Sequence, residues 1–175
     1  ETHQAQKSLD DIGICFMFAP KFHNLTRELA MARKSLGKPT IFNLLGPLAN
    51  PANAPFQLIG IWNKDFMKPM AEAIAKLGTE KTWIVHGEDG LDEITLNGKT
   101  YIAEIVADEI KYLELSPNDF GLRENPLEHF NDMTAQWSFQ IIKDVIGRHA
   151  VVPGSLDIVL INSAAAIYLS GVTND

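Results

Sequence analysis

The sequence predicts an α/β domain with a mainly parallel sheet flanked by helices, and three observations carry this. First, a strand-like run at Phe56–Trp62 is followed by apolar residues at helical spacing (Phe66, Met70, Ile74, Leu77) and then by a second run, Thr82–Val85. Strand, helix and strand at that spacing form a βαβ unit, whose crossover sets the two strands parallel. Second, further helical and strand-like patterns continue the alternation to the end of the chain. Third, 175 residues with 46% hydrophobic and 21% charged composition fit one domain, residues 1–175, with a substantial core.

Composition also excludes classes of function. A net charge of -7 argues against nucleic acid as a partner, because phosphate contacts need clustered Lys and Arg. No apolar run reaches membrane-spanning length, so no membrane partner is expected. The single cysteine, Cys15, reads as a small buried hydrophobe and permits no intrachain disulfide. With a polar N-terminus in place of a secretory signal, this fits a reducing, cytoplasmic location.

In chain order, residues up to Ile12 read as the end of an amphipathic helix, and Ile14–Phe18 as a buried strand closed by Pro20. Asn24 is placed to cap a helix bearing Leu25, Leu29, Ala32 and Leu36, with Gly37 as its stop. Arg33 then lies in the last turn, where the helix macrodipole alone would favour a cation. The stretch Arg33–Pro51 holds Gly37, Pro39, Gly46, Pro47 and Pro51 around a short apolar run. It reads as a partly buried connection, either packed for structural reasons or shaping a site.

Beyond the βαβ unit, whose helix is capped by Asn63 or Asp65 and stopped by Gly78, Thr100–Val106 and Ile110–Leu115 suggest an antiparallel hairpin. Ser116–Pro126 is turn-rich. Thr134 can cap a helix carrying Trp137, Ile141, Ile142 and Val145, stopped by Gly147. A last helix begins near Ser155 or Asp157, with Leu156, Val159, Leu160, Ser163, Ala164 and Ile167 as its apolar stripe.

Chemistry concentrates after the second strand of the βαβ unit. Glu88, Asp89, Asp92 and Glu93 fall within six residues, and Gly87 and Gly90 allow a tight fold that could turn carboxylates inward. Such a loop suits a hard cation completed by substrate oxygens, and it equally suits a solvated acidic turn.

Three motifs occur in one order: F-A-P-K-F-H at Phe18–His23, F-N-L-L-G-P-L-A-N-P at Phe42–Pro51 and H-G-E-D-G-L-D-E at His86–Glu93. From about Asp11 to Leu169 the chain resembles the anthranilate phosphoribosyltransferase family, which joins anthranilate to phosphoribosyl pyrophosphate in tryptophan biosynthesis. The resemblance implies that Asp92 and Glu93 bind Mg2+, that Arg33 grips the anthranilate carboxylate, and that Pro47 lines the anthranilate pocket. A guanidinium fork suits a planar carboxylate, and a rigid proline wall suits an aromatic ring. His23 stands where the family has a histidine near the substrate channel, and is followed here by Asn24 where the family often has proline. No residue is assigned as a general base, and His86 reads as structural.

The family's G-T-G-G-D and K-H-G-N segments do not occur in the sequence. The resemblance therefore implies a partial sheet of the nucleoside phosphorylase/phosphoribosyltransferase-like C-terminal domain. It further implies a fragment of a larger two-domain enzyme, inactive alone and homodimeric when full length. Two alternatives stand beside it: a related nucleoside phosphorylase-class enzyme, and a non-catalytic binding or assembly module.

Overall fold

A computed structural model describes residues 2–22, 35–37, 41–126, 130, 133–149 and 151–173. The chain divides into two compact units, Glu1–Asn53 and Ala54–Asp175. In the first, helix α1 spans Thr2–Ile12. It ends where Gly13, at φ 75°, donates its N–H to the Leu9 carbonyl at 2.9 Å, a left-handed stop that glycine adopts without strain. A short helix α2 covers Ala19–Phe22, and α3 covers Ile41–Leu48.

Two expectations for this unit change. Ile14–Phe18 forms no strand, and Ile14, Phe16 and Phe18 face solvent, with Phe16 84% exposed. The run is apolar enough for a strand, but a strand needs a neighbour to satisfy its backbone, and none is paired with it among the described residues. Cys15 is accordingly only partly buried. The second change is that Ile41–Leu48 is a helix and not an irregular connection. Gly46 and Pro47 look like breakers, yet Pro47 falls in the last turn, so its missing N–H removes one bond at the end of the helix and leaves the first turn intact. Of the helix expected from Asn24, only Ser35 and Leu36 are described, both helical, with Gly37 at φ 58°; the rest lies outside the described residues.

The second unit is built on a four-stranded sheet ordered β1 (Phe56–Gly60), β2 (Lys81–Gly87), β3 (Thr100–Val106) and β4 (Glu109–Leu115). The β1–β2 pair is parallel, Phe56 facing Lys81 and Gly60 facing Val85. The helix between them is α4, Met67–Leu77. It is preceded by a 3-10 turn at Lys64–Phe66, whose cap, Asn63 Oδ1, accepts the Asp65 N–H at 2.9 Å. Gly78 at φ 79° ends the helix. The βαβ unit thus forms as its spacing predicts.

The α/β class holds, but the sheet is not mainly parallel. Both remaining pairs are antiparallel, Val85 facing Ile102 across β2–β3 and Ile105 facing Ile110 across β3–β4. A parallel return needs a crossover long enough to run back along the sheet. The segment between Gly87 and Thr100 is a compact loop without a helix, so β3 must come back antiparallel.

Side-chain alternation gives the sheet two working faces. On one, Trp83, Val85 and Ile102 join Ile94 and Leu96 from the loop, and Ile161, Ala165 and Leu169 from the final helix α6 (Ser155–Leu169), in one core. On the other, α4 buries Met67, Met70, Ala71 and Ile74 against β2 and β3. The buried face of α6 is not the expected one. Leu156, Val159, Leu160 and Ile167 are at the surface, while Ile161, Ala165 and Leu169 are inside. A helix α5, Ala135–Ile146, is capped by Thr134 Oγ1 accepting the Trp137 N–H at 3.2 Å. It buries only Ile141, and Arg148 at φ 57°, not Gly147, takes the left-handed position after it. Among the described residues no helix is long and apolar enough to cross a membrane.

Candidate functional site

The loop after β2 is pinned from inside by its own acids. Gly87 donates its N–H to the Leu91 carbonyl at 2.8 Å, and Glu88 donates its N–H to the Lys99 carbonyl at 2.8 Å. In return, Glu88 Oε2 accepts the Lys99 N–H at 3.1 Å. Asp89 Oδ2 accepts the Thr95 hydroxyl at 2.8 Å, and Asp89 Oδ1 accepts the Leu91 N–H at 3.3 Å. Thr95 Oγ1 accepts the Asn97 N–H at 2.9 Å. Two of the four acids thus serve as struts of the turn.

Asp92 and Glu93 are different. Both are exposed, and neither makes a hydrogen bond or ion pair among the described residues. Glu93 is open to solvent by surface area but walled on one side by protein. This partial desolvation, with the neighbouring Asp92 charge second, raises its carboxyl above the ordinary value of 4.5. Glu93 also lines an open cleft of about 840 Å³ between the loop and α6, whose opposite wall includes Ile158, Val159, Asn162 and Ser163. No group of three His, Cys, Asp or Glu side chains gathers anywhere among the described residues. The acids are therefore a pair, and a pair is all that magnesium asks of a protein when waters and phosphate oxygens complete its shell. A like-charged pair lacking a cationic partner fits a divalent cation electrostatically.

Two contacts that sequence reasoning missed flank this pair. Gly60, the last residue of β1, lies directly under the Asp92 backbone: a Cβ at Gly60 would fall 1.6 Å from the Asp92 carbonyl oxygen. Glycine inside a strand marks such a close approach, and that was the one available signal. On the other side, Asn162 of α6 accepts the Ile94 N–H at 2.9 Å and donates to the Ile94 carbonyl at 3.0 Å. Its amide also donates to the Ile158 carbonyl at 3.0 Å. A lone asparagine in an apolar helix gives no hint of a partner so distant in sequence. His86, which reads as structural from the sequence, is buried near the end of β2, and its Nδ1 lies 2.8 Å from the Ile61 carbonyl. A carbonyl only accepts, so Nδ1 carries a proton and the ring ties β2 to the residue following β1.

Of the other sequence-predicted residues, Pro47 is partly buried in the last turn of α3. His23 and Arg33 lie outside the described residues.

A family described as glycosyl transferase family, a/b domain, matches residues 1–175. The chain belongs to the glycosyl transferase family. Among the curated relatives of this glycosyl transferase domain, anthranilate phosphoribosyltransferase of Nitrosomonas eutropha is 43% identical over 169 residues, covering 96% of this chain and 49% of that protein. The enzyme of the same name from Cellvibrio japonicus is 42% identical over 171 residues, covering 97% and 50%. In three dimensions the domain is similar to anthranilate phosphoribosyltransferase from Thermus thermophilus, at a TM-score of 0.86 and 31% identity over 98% of this chain and 50% of that one. It is similar also to the Saccharomyces cerevisiae enzyme in complex with PRPP and Mg, at a TM-score of 0.84 and 31% identity, over 98% of this chain and 49% of that one. The chain spans about half the length of the curated relatives it matches.

Proposed function

We propose that this glycosyl transferase domain supplies the acceptor-binding and metal-binding part of an anthranilate phosphoribosyltransferase, a larger two-domain enzyme. The structural observation that carries the reading is the loop after β2, which spends Glu88 and Asp89 on its own turn and presents Asp92 and Glu93 without a hydrogen-bonded or ion-paired partner among the described residues. The relatives and solved structures that it resembles carry the transferase name, which disfavours the nucleoside phosphorylase alternative.

In this reading the amine of anthranilate attacks the anomeric carbon of phosphoribosyl pyrophosphate, and the bond from that carbon to the pyrophosphate oxygen breaks. Asp92 and Glu93 would hold Mg2+. When bound there, Mg2+ supplies Lewis-acid neutralisation of the charge that grows on the departing pyrophosphate. Arg33 grips the acceptor carboxylate with both arms of its guanidinium, Pro47 gives the ring a rigid wall, and His23 borders the acceptor channel. These residues act by orientation, which lowers the barrier without a covalent step. The aromatic amine attacks through a neutral lone pair, so no side chain of this chain is assigned as a base; the proton that the nitrogen sheds after the new bond forms passes to the departing pyrophosphate or to water. The full-length enzyme is a cytoplasmic homodimer.

A substrate panel tests the proposal. The complete enzyme carrying this chain is supplied with phosphoribosyl pyrophosphate and Mg2+, and anthranilate consumption is followed by its fluorescence. Parallel reactions contain nucleosides and inorganic phosphate. Turnover of nucleosides with none of anthranilate would overturn the assignment.

A further inference from the structure

We infer that Asn162 is a positioning residue for the Asp92–Glu93 pair. This deepens the metal reading above and rests on it. The bonds are arranged for that task. Asn162 reaches from α6 to bind both the N–H and the carbonyl of Ile94, the residue that follows Glu93. Its third bond, to the Ile158 carbonyl one helical turn earlier, fixes the amide itself. Every polar atom of the side chain is therefore used, and the orientation of the amide is unambiguous, because only a donor can face two carbonyls. On the opposite side of the pair, Gly60 lets the Asp92 carbonyl rest on β1.

Asp92 and Glu93 are thus a dipeptide clamped at both ends, by strand β1 before and helix α6 after, while their carboxylates stay unengaged among the described residues. A purely structural asparagine would not need to sit beside the only two acids of the loop that do no structural work. Buried beneath them, Ile94 is 1% exposed, so the backbone between clamp and core has little room to drift. Groups that orient metal-binding side chains without touching the metal are worth about 10–100-fold in affinity. The expected effect of removing Asn162 is the lower end, about tenfold, because Gly60 remains.

The test uses the complete enzyme carrying this chain, labelled with 15N, with inorganic pyrophosphate present to supply phosphate oxygens and Mn2+ as a paramagnetic stand-in for Mg2+. Selective broadening of the Asp92 and Glu93 amide signals reports binding, and its midpoint is compared among wild type, Asn162→Leu, Gly60→Ala and Ile74→Val. Leucine keeps the branched outline of asparagine, with somewhat more bulk, and loses the bonds. Ile74, fully buried in α4 on the other face of the sheet, is a control for general loss of stability. We expect the midpoint to rise about tenfold in Asn162→Leu, to rise in Gly60→Ala, and to stay at the wild-type value in Ile74→Val. Selective broadening with one midpoint throughout would overturn the role of Asn162 and leave the metal reading standing. An equal rise in Ile74→Val would reduce the effect to stability and overturn it also. Absence of selective broadening in the wild-type chain would overturn the metal reading itself, and this role with it.

Discussion

Replacing Gly60 by alanine adds one methyl group where two backbones lie close together. The new carbon would lie 1.6 Å from the Asp92 carbonyl oxygen, 2.6 Å from its carbonyl carbon and 3.3 Å from its Cα. Carbon–oxygen contacts do not normally close below about 3.3 Å, so one of the two backbones must retreat by roughly 1.7 Å. Neither can do so freely. Gly60 is held in register against Val85 of β2, and Asp92 is tethered two residues on by the Ile94–Asn162 bonds. Overpacking costs about 1–3 kcal/mol when side chains can adjust, and two tethered backbones place Gly60→Ala near about 3 kcal/mol. For a chain of this size that lowers Tm by roughly 6–12 °C. Far-UV circular dichroism on heating, together with tryptophan fluorescence, measures it. A double variant, Gly60→Ala with Asn162→Leu, should lose less than the sum of the two single losses, because releasing Ile94 lets Asp92 move away. A Tm within about 2 °C of wild type for Gly60→Ala would refute the contact and the account of how the loop is seated.

Glu93 should make stability fall as pH rises. Its carboxyl binds a proton more tightly folded than unfolded, so stability is lost between the ordinary value of 4.5 and the raised folded value. Glu93→Gln should flatten that decline in urea titrations at pH about 4 and about 8, and an unchanged difference between the two would remove burial as the cause. In the complete enzyme, Asp92→Asn with Glu93→Gln should reduce turnover and blunt its dependence on Mg2+ with the circular dichroism spectrum unchanged; wild-type activity across a Mg2+ titration would dismiss the pair as metal ligands. Arg33→Ala should raise KM for anthranilate far more than for phosphoribosyl pyrophosphate, since a lost two-pronged carboxylate contact costs on the order of 1.5–3 kcal/mol. Arg33→Lys should restore part of it, and equal changes for both substrates would move Arg33 out of the acceptor pocket.

What could be read from the sequence depended on how local the deciding interaction was. The βαβ unit and the β3–β4 hairpin were legible because apolar runs, Asn63 as cap and Gly78 as stop all act within a few residues. Ile14–Phe18 was misread because strand propensity says nothing about whether a partner strand exists. In Ile41–Leu48 the breakers outweighed the pattern, although proline near a helix end removes little. The stripe on α6 was misassigned because Leu156, Val159, Leu160, Ile161 and Ile167 leave no polar side to mark the outside. Parallel pairing was extended from one crossover to a whole sheet, whereas the loop after β2 dictated the reverse. Within the site, the acidic composition was visible, and the resemblance singled out Asp92 and Glu93. The division of labour among the four acids depends on Thr95, Lys99 and Asn162, contacts that spacing does not reveal.

The bonds between Ile94 and Asn162 join residues 68 positions apart, and this has a consequence for the order of folding. Chains emerge from the ribosome N-terminus first, so Asp92 and Glu93 are made well before the helix that frames them. Contacts of such long range form only after loop closure has been overcome, whereas hairpins such as β3–β4 assemble early. We therefore expect the acidic pair to gain its fixed spacing at a late step, when α6 docks on the sheet. A chain shortened by its last helix would keep both carboxylates and lose their geometry. Metal affinity at this loop would then report the completion of folding.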